Sequence, residues 1–137
     1  MIRRRGYTLM EILITVSILG ILAAIAIPRF GKVAERQRYQ EAASLLGSIY
    51  AGEQAYATRH DGDYRGTPAN KLDWRNDLMM DDPNPADGSI SYTIQISPGA
   101  DKFTASAKRT KGGCNNKSIS VDQDGVWSDT WRTAGCF

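Results

Sequence analysis

Residues 1–30 read MIRRRGYTLMEILITVSILGILAAIAIPRF. Arg3, Arg4 and Arg5 stand before an apolar run, Leu9 to Ile27, that carries a single charge, Glu11, in nineteen residues. As a helix that run is roughly 28 Å long at ~1.5 Å per residue, close to the hydrocarbon thickness of a bilayer. An ordinary cleaved secretory signal fits poorly. The run exceeds a usual h-region, and the nearest small-residue site, Ala24-Ile25-Ala26, lies inside it just before Pro28. A plain transmembrane anchor with the arginines on the cytoplasmic side fits the length and the flank. It leaves Glu11 to be explained, because a carboxylate in such a run costs on the order of a few kcal/mol unless it is interfacial or paired. One account is a helix-start glutamate favoured by the macrodipole. The other supplies a cation: cleavage between Gly6 and Tyr7 exposes an α-amine four residues before Glu11. In a helical array, the amine of one subunit then neutralises the carboxylate of another.

The rest of the chain is different in kind. At 137 residues and 15.1 kDa one globular domain is expected, and 42% hydrophobic residues suffice for a core. Mean hydropathy is nonetheless −0.38, so apolar residues are concentrated at the N-terminus. The net charge of +2 becomes −1 once the first six residues are removed, which gives no reason to expect nucleic acid as the main partner. One histidine, His60, and two cysteines leave little material for catalysis, and there is no evident nucleophile–base pair. The chain reads as a non-enzyme.

Pro28 predicts a kink, and Gly20 weakens the helix before it. Residues 29–59 read as a continuing amphipathic helix. Val33, Ala42, Leu45, Leu46, Ile49 and Tyr56 form its apolar face; Lys32, Glu35, Arg36, Arg38, Gln40 and Glu41 form its polar side. Gly47 and Gly52 suit close packing against a sheet. A connecting loop over 60–89 follows, rich in Gly, Pro, Asp and Asn, with one short helical turn around Leu72–Leu78. A sheet of three to four strands is then expected over 90–128. Its strands carry Tyr92, Ile94 and Ile96; Phe103, Ala105 and Ala107; Ser118–Asp122; and a shorter Val126–Ser128. Pro98-Gly99-Ala100-Asp101 reads as a turn. The fold class is α+β, a long N-terminal helix whose hydrophobic half protrudes and whose amphipathic half covers an antiparallel sheet.

Gly6, Tyr7-Thr8-Leu9-Met10-Glu11 and the apolar stretch ending in Pro28 closely resemble the class III signal of type IV pilins. The joint match is highly specific. Leu46 to Tyr56 is also similar to the matching helix of many pilins, while the likeness over 60–137 is architectural. The resemblance implies a leader at 1–6, a membrane and filament-core helix at 7–28, and a globular domain at 29–137. It implies cleavage after Gly6 by a prepilin peptidase, N-methylation of Tyr7, and roles for Glu11 and Pro28 in assembly. The family's usual first mature residue is Phe, where this chain has Tyr7. The implied product is a structural subunit of a type IV pilus, used for adhesion, twitching motility or DNA uptake. It would be held in the inner membrane with its globular domain periplasmic, then drawn by the inner-membrane assembly platform into a homo-oligomeric helical filament on the cell surface. Before assembly its partner is membrane lipid, and nucleic acid enters only indirectly. A pseudopilin of a type II secretion system is the alternative.

Export makes a disulfide between Cys114 and Cys136 the expectation. It would enclose a region over 114–136 and pin the tail to the sheet. Asp122-x-Asp124-Gly125 has the start of a calcium loop without its closing Glu, so a hairpin turn is the first reading and calcium at Asp122 and Asp124 the second; otherwise no cofactor is expected. Trp127 and Trp131 read first as packing residues, with a surface aromatic patch as the alternative. His60 reads as a solvated loop residue.

Overall fold

The computed structural model describes residues 6–84, 90, 92–99 and 101–137, without the side chains of 27–29 and of 99. Arg3–Arg5 and part of the connecting loop lie outside these residues. Helix α1 runs Leu9–Arg59. Its backbone is helical through Gly20 and on through position 28. The kink expected at Pro28 rests on a side chain outside the described residues. The chain divides into two units, one ending at Ala34 and the other Glu35–Phe137.

In the first unit, the large apolar side chains from Leu9 to Ile25 are all exposed in the single chain. The 18-residue window Leu9–Ala26 has a mean hydropathy of 2.4 and is long enough to cross a membrane. Its hydroxyls are satisfied internally. Thr15 Oγ1 donates to the Ile12 carbonyl at 2.8 Å and Ser17 Oγ to the Leu13 carbonyl at 2.7 Å. Such back-bonding leaves the hydroxyls little need for water, which suits apolar surroundings.

In the second unit, the remainder of α1 packs on an antiparallel meander in the order β1-β2-β3-β4. The strands are β1 Tyr92–Gly99, β2 Lys102–Arg109, β3 Ser118–Asp122 and β4 Trp127–Asp129. Alternation does what the sequence predicts: Tyr92, Ile94, Ile96, Phe103, Ala105, Ala107, Ile119 and Val121 are buried. Pro98 and Gly99 depart from expectation. They belong to β1, paired with Phe103 and Lys102, and the turn is shorter than the sequence suggested. β1 is an edge strand, where a proline breaks no ladder bond. Two short helices complete the unit, α2 Lys71–Asp77 and α3 Thr130–Thr133.

The face that α1 buries is shifted from the one expected. Ala42, Leu46, Ile49 and Ala57 are in the core, as expected for the first three, but Val33 is exposed. The buried stripe runs instead through Glu35, Ala42, Leu46, Ile49 and Glu53. Val33 precedes Glu35 by two residues, roughly 200° around a helix, so both cannot face the sheet. The buried face of α1 therefore carries two carboxylates, Glu35 and Glu53. Gly52 does permit a close approach, but to the Leu78 backbone beyond α2: a Cβ there would lie 2.7 Å from the Leu78 carbonyl oxygen, whereas Gly47 faces open space.

Glu35 is held by a buried network. Arg109, at the end of β2, donates to it through Nε at 2.7 Å and through NH2 at 2.9 Å. Trp131 Nε1 donates to the same carboxylate at 3.0 Å, and Arg38 adds a contact at 3.1 Å. The Arg109 hydrogen bonds hold the Glu35 carboxyl below its ordinary range despite the opposing push of burial. Glu53 is the reverse case: burial pushes its carboxyl up, against the backbone N–H groups of Arg65 and Gly66.

Cys114 and Cys136 are bonded, with their Cα atoms 5.9 Å apart. The tail that this holds meets α1 as well as the sheet, because the Phe137 ring lies 5.1 Å from that of Tyr39. Closing a loop of 22 residues stabilises by roughly 3 kcal/mol in the chain-entropy model. A double Cys114→Ser, Cys136→Ser variant is expected to lose about that much in urea unfolding of the exported protein. A midpoint unchanged from wild type would show that packing alone holds the tail.

Candidate processing and assembly site

Gly6, Tyr7 and Thr8 are exposed and precede the helix, so the Gly6–Tyr7 peptide bond lies in non-helical backbone. Nothing lies within 4 Å of where a Cβ on Gly6 would be. A bond in such backbone is open to a peptidase, whereas a helical peptide group has its carbonyl engaged. Thr8 caps α1: its Oγ1 accepts from Glu11 N at 3.2 Å, and its carbonyl accepts from Ile12 N at 3.3 Å. Thr8 and Glu11 stand in the T-x-x-E spacing of a capping box, a helix-start signal legible in the sequence itself. The cap fixes where the helix starts, and so places Glu11 in its first turn.

Glu11 is exposed in the single chain, and its carboxylate has no hydrogen-bond or ion-pair partner among the described residues. Around it Leu9, Met10, Ile12, Leu13 and Ile14 are all exposed apolar side chains. This segment therefore combines an exposed, non-helical Gly6–Tyr7 bond, a capped apolar helix and a carboxylate without a partner among the described residues.

The family described as "Prokaryotic N-terminal methylation motif" matches residues 1–27 of the chain. The type IV major pilin protein PilA of Myxococcus xanthus is 44% identical over 59 residues, covering 43% of this chain and 27% of that protein. A fimbrial protein of Pseudomonas aeruginosa is 28% identical over 131 residues, 91% of this chain and 84% of its own length. Fimbrial protein Q of Moraxella bovis is 30% identical over 137 aligned residues, covering 93% of this chain and 85% of that protein. The chain belongs to the type IV pilin family. It is a pilin, a structural subunit of pilus filaments with a membrane-anchored precursor. No solved structure matches it. The relatives are pilus and fimbrial proteins, and nothing among them favours the pseudopilin alternative.

The other sites that the sequence singles out lie in the pilin's globular unit. Asp122 organises the β3–β4 hairpin. Its Oδ1 accepts from Asp124 N at 3.0 Å and from Val126 N at 2.9 Å, with Gly125 in the left-handed region at φ 74°. Asp124 Oδ2 accepts from Gln123 Nε2 at 2.6 Å. Both oxygens of the neighbouring Asp129 are also engaged, one by Arg132 N and one by Tyr39 OH. Among the described residues no three His, Cys, Asp or Glu side chains are grouped so as to hold a metal ion. Trp131 is fully buried, while Trp127 is 46% exposed, so the two tryptophans divide between the packing and surface readings. His60 stacks on Tyr56 with ring centroids 3.8 Å apart, and its Nδ1 donates to the Tyr56 carbonyl at 2.9 Å, closing the last turn of α1.

Proposed function

We propose that this pilin is made as an inner-membrane precursor, with Arg3–Arg5 cytoplasmic and the Glu35–Phe137 unit periplasmic. Prepilin peptidase cuts between Gly6 and Tyr7, and Tyr7 is N-methylated. The inner-membrane assembly platform then draws the mature chain from lipid into a helical filament with other copies and other pilins. Supporting this order of events is the placement of the Gly6–Tyr7 bond in open, non-helical backbone two residues before a capped apolar helix. The assembly step rests on Glu11, a carboxylate that lacks a partner among the described residues and acquires one when a neighbour brings its Tyr7 amine. Burial of both charges in an apolar bundle is tolerable only as a pair. This reading assigns no cofactor, and Asp122 serves in it as the residue that closes the β3–β4 hairpin through its Oδ1.

Intact-mass analysis of sheared filaments tests the processing step. The expected species lacks residues 1–6 and carries one added methyl on Tyr7. Gly6→Val places a branched side chain at the scissile bond and is expected to leave unprocessed precursor in the membrane. Full-length chains in wild-type filaments, or normal cleavage of Gly6→Val, would overturn the assignment.

A further inference from the structure

Strand β1 is at one edge of the sheet, and its sequence YTIQISPG contains no charged residue. An uncharged, β-prone edge invites pairing with another strand, because alternate residues turn unpaired N–H and C=O groups outward. At Ile94 and Ile96 those groups are occupied by side chains of the connecting loop. Asn84 Oδ1 accepts from Ile94 N at 2.8 Å while its Nδ2 donates to the Ile94 carbonyl at 2.8 Å. Thr67 Oγ1 accepts from Ile96 N at 2.7 Å and donates to the Ile96 carbonyl at 2.8 Å. Two residues on, Pro98 has no N–H to offer. Its ring lies against Gly66, where a Cβ would come within 2.8 Å of Pro98 Cγ.

The loop that carries these groups is itself tied down. Glu53 Oε2, from the buried stripe of α1, accepts from Arg65 N at 2.8 Å. The Arg65 side chain is ion-paired to Asp77 and, at 3.5 Å, to Asp73. One amide and one hydroxyl thus stand in for the ladder bonds that a neighbouring strand would make at two successive outward positions. A primary amide matches a peptide group donor for acceptor, so the substitution is chemically complete at Ile94.

We propose that Thr67 and Asn84 lock the β1 edge against strand addition by a second copy of this chain. The partner follows from the strand's own chemistry. An added copy of β1 would set Thr93, Gln95 and Ser97 against each other with no like charges opposed, and its outward N–H and C=O groups would replace the Asn84 and Thr67 bonds. Copies of a pilin are concentrated in a membrane and in a filament, where an open edge would compete with packing through α1.

The test uses the processed full chain in detergent, with hydrogen exchange of the 92–98 segment and chemical cross-linking followed over a range of protein concentration. Thr67→Val with Asn84→Ala is expected to speed exchange at Ile94 and Ile96 by about tenfold or more when dilute. On raising the concentration, protection returns and cross-linked dimers joined through β1 accumulate. Adding Gln95→Lys to the pair should suppress the dimer and leave exchange fast, because the lysine guards the edge. Should the double variant fail to fold, Thr67→Val alone is compared with Thr67→Ser, which keeps both bonds to Ile96 and should behave as wild type. Wild-type exchange in the variants would overturn the proposal, as would fast exchange with a monomer at every concentration.

Discussion

Glu11→Ala is expected to leave processed pilin in the inner membrane and few or no filaments. Within Leu9–Ala26 the Thr15 and Ser17 hydroxyls satisfy themselves on the helix backbone, so Glu11 is the one group there that an apolar bundle cannot accept alone. Replacing it relieves the bilayer of a carboxylate, and insertion and cleavage should continue. On the proposed pairing, the filament then receives a Tyr7 amine with nothing opposite it. An unpaired charge in such a place costs on the order of 3 kcal/mol or more, which is over a hundredfold in the equilibrium for each added subunit. Glu11→Gln should be milder, since it retains a hydrogen-bond acceptor without the charge. The readout is pilin in sheared fractions against processed pilin in membranes. Normal filaments from Glu11→Ala would make Glu11 only a first-turn residue stabilised by the helix dipole, alongside the Thr8 cap.

What was legible in the sequence follows a physical division. The N-terminal segment is read from composition and local spacing, because a lone carboxylate in an apolar run is costly wherever the chain goes afterwards. The strands are equally local, since alternation at Ile94, Ile96, Phe103, Ala105 and Ala107 reports one buried face. Charge misled where a tertiary contact reversed its meaning. Glu35 reads as polar surface until Arg109 and Trp131, 74 and 96 residues away, are brought to it. Pro98 reads as a break until its strand is known to be an edge. The roles of Thr67 and Asn84 were not legible, because a side chain that imitates a neighbouring strand has no periodic signature of its own.

Arg109→Met is expected to cost the globular unit about 3–5 kcal/mol, the usual loss when one partner of a buried ion pair is removed. Arg109 is 3% exposed and supplies two of the hydrogen bonds on Glu35; Trp131 and Arg38 remain but cannot replace both charge and geometry. For a unit of this size the melting temperature should fall by about 15 °C or more. Adding Glu35→Leu should recover part of the loss by removing the stranded carboxylate. Recovery stays incomplete because Trp131 Nε1 is then a buried donor without an acceptor. Acid should narrow the gap between wild type and Arg109→Met. In the wild type, Glu35 lies below its ordinary value of 4.5, so its contribution is present above that value and is lost as the pH falls through the folded one. In Arg109→Met the main cause of that lowering is gone and burial favours the neutral acid, so this variant loses less as carboxylates protonate. Urea unfolding of both proteins from pH 7 to pH 3 measures the difference directly. A gap that stays constant across that range would assign the cost to lost packing around the Arg109 side chain, including its approach to the Trp131 ring at 5.9 Å, and not to the charge pair.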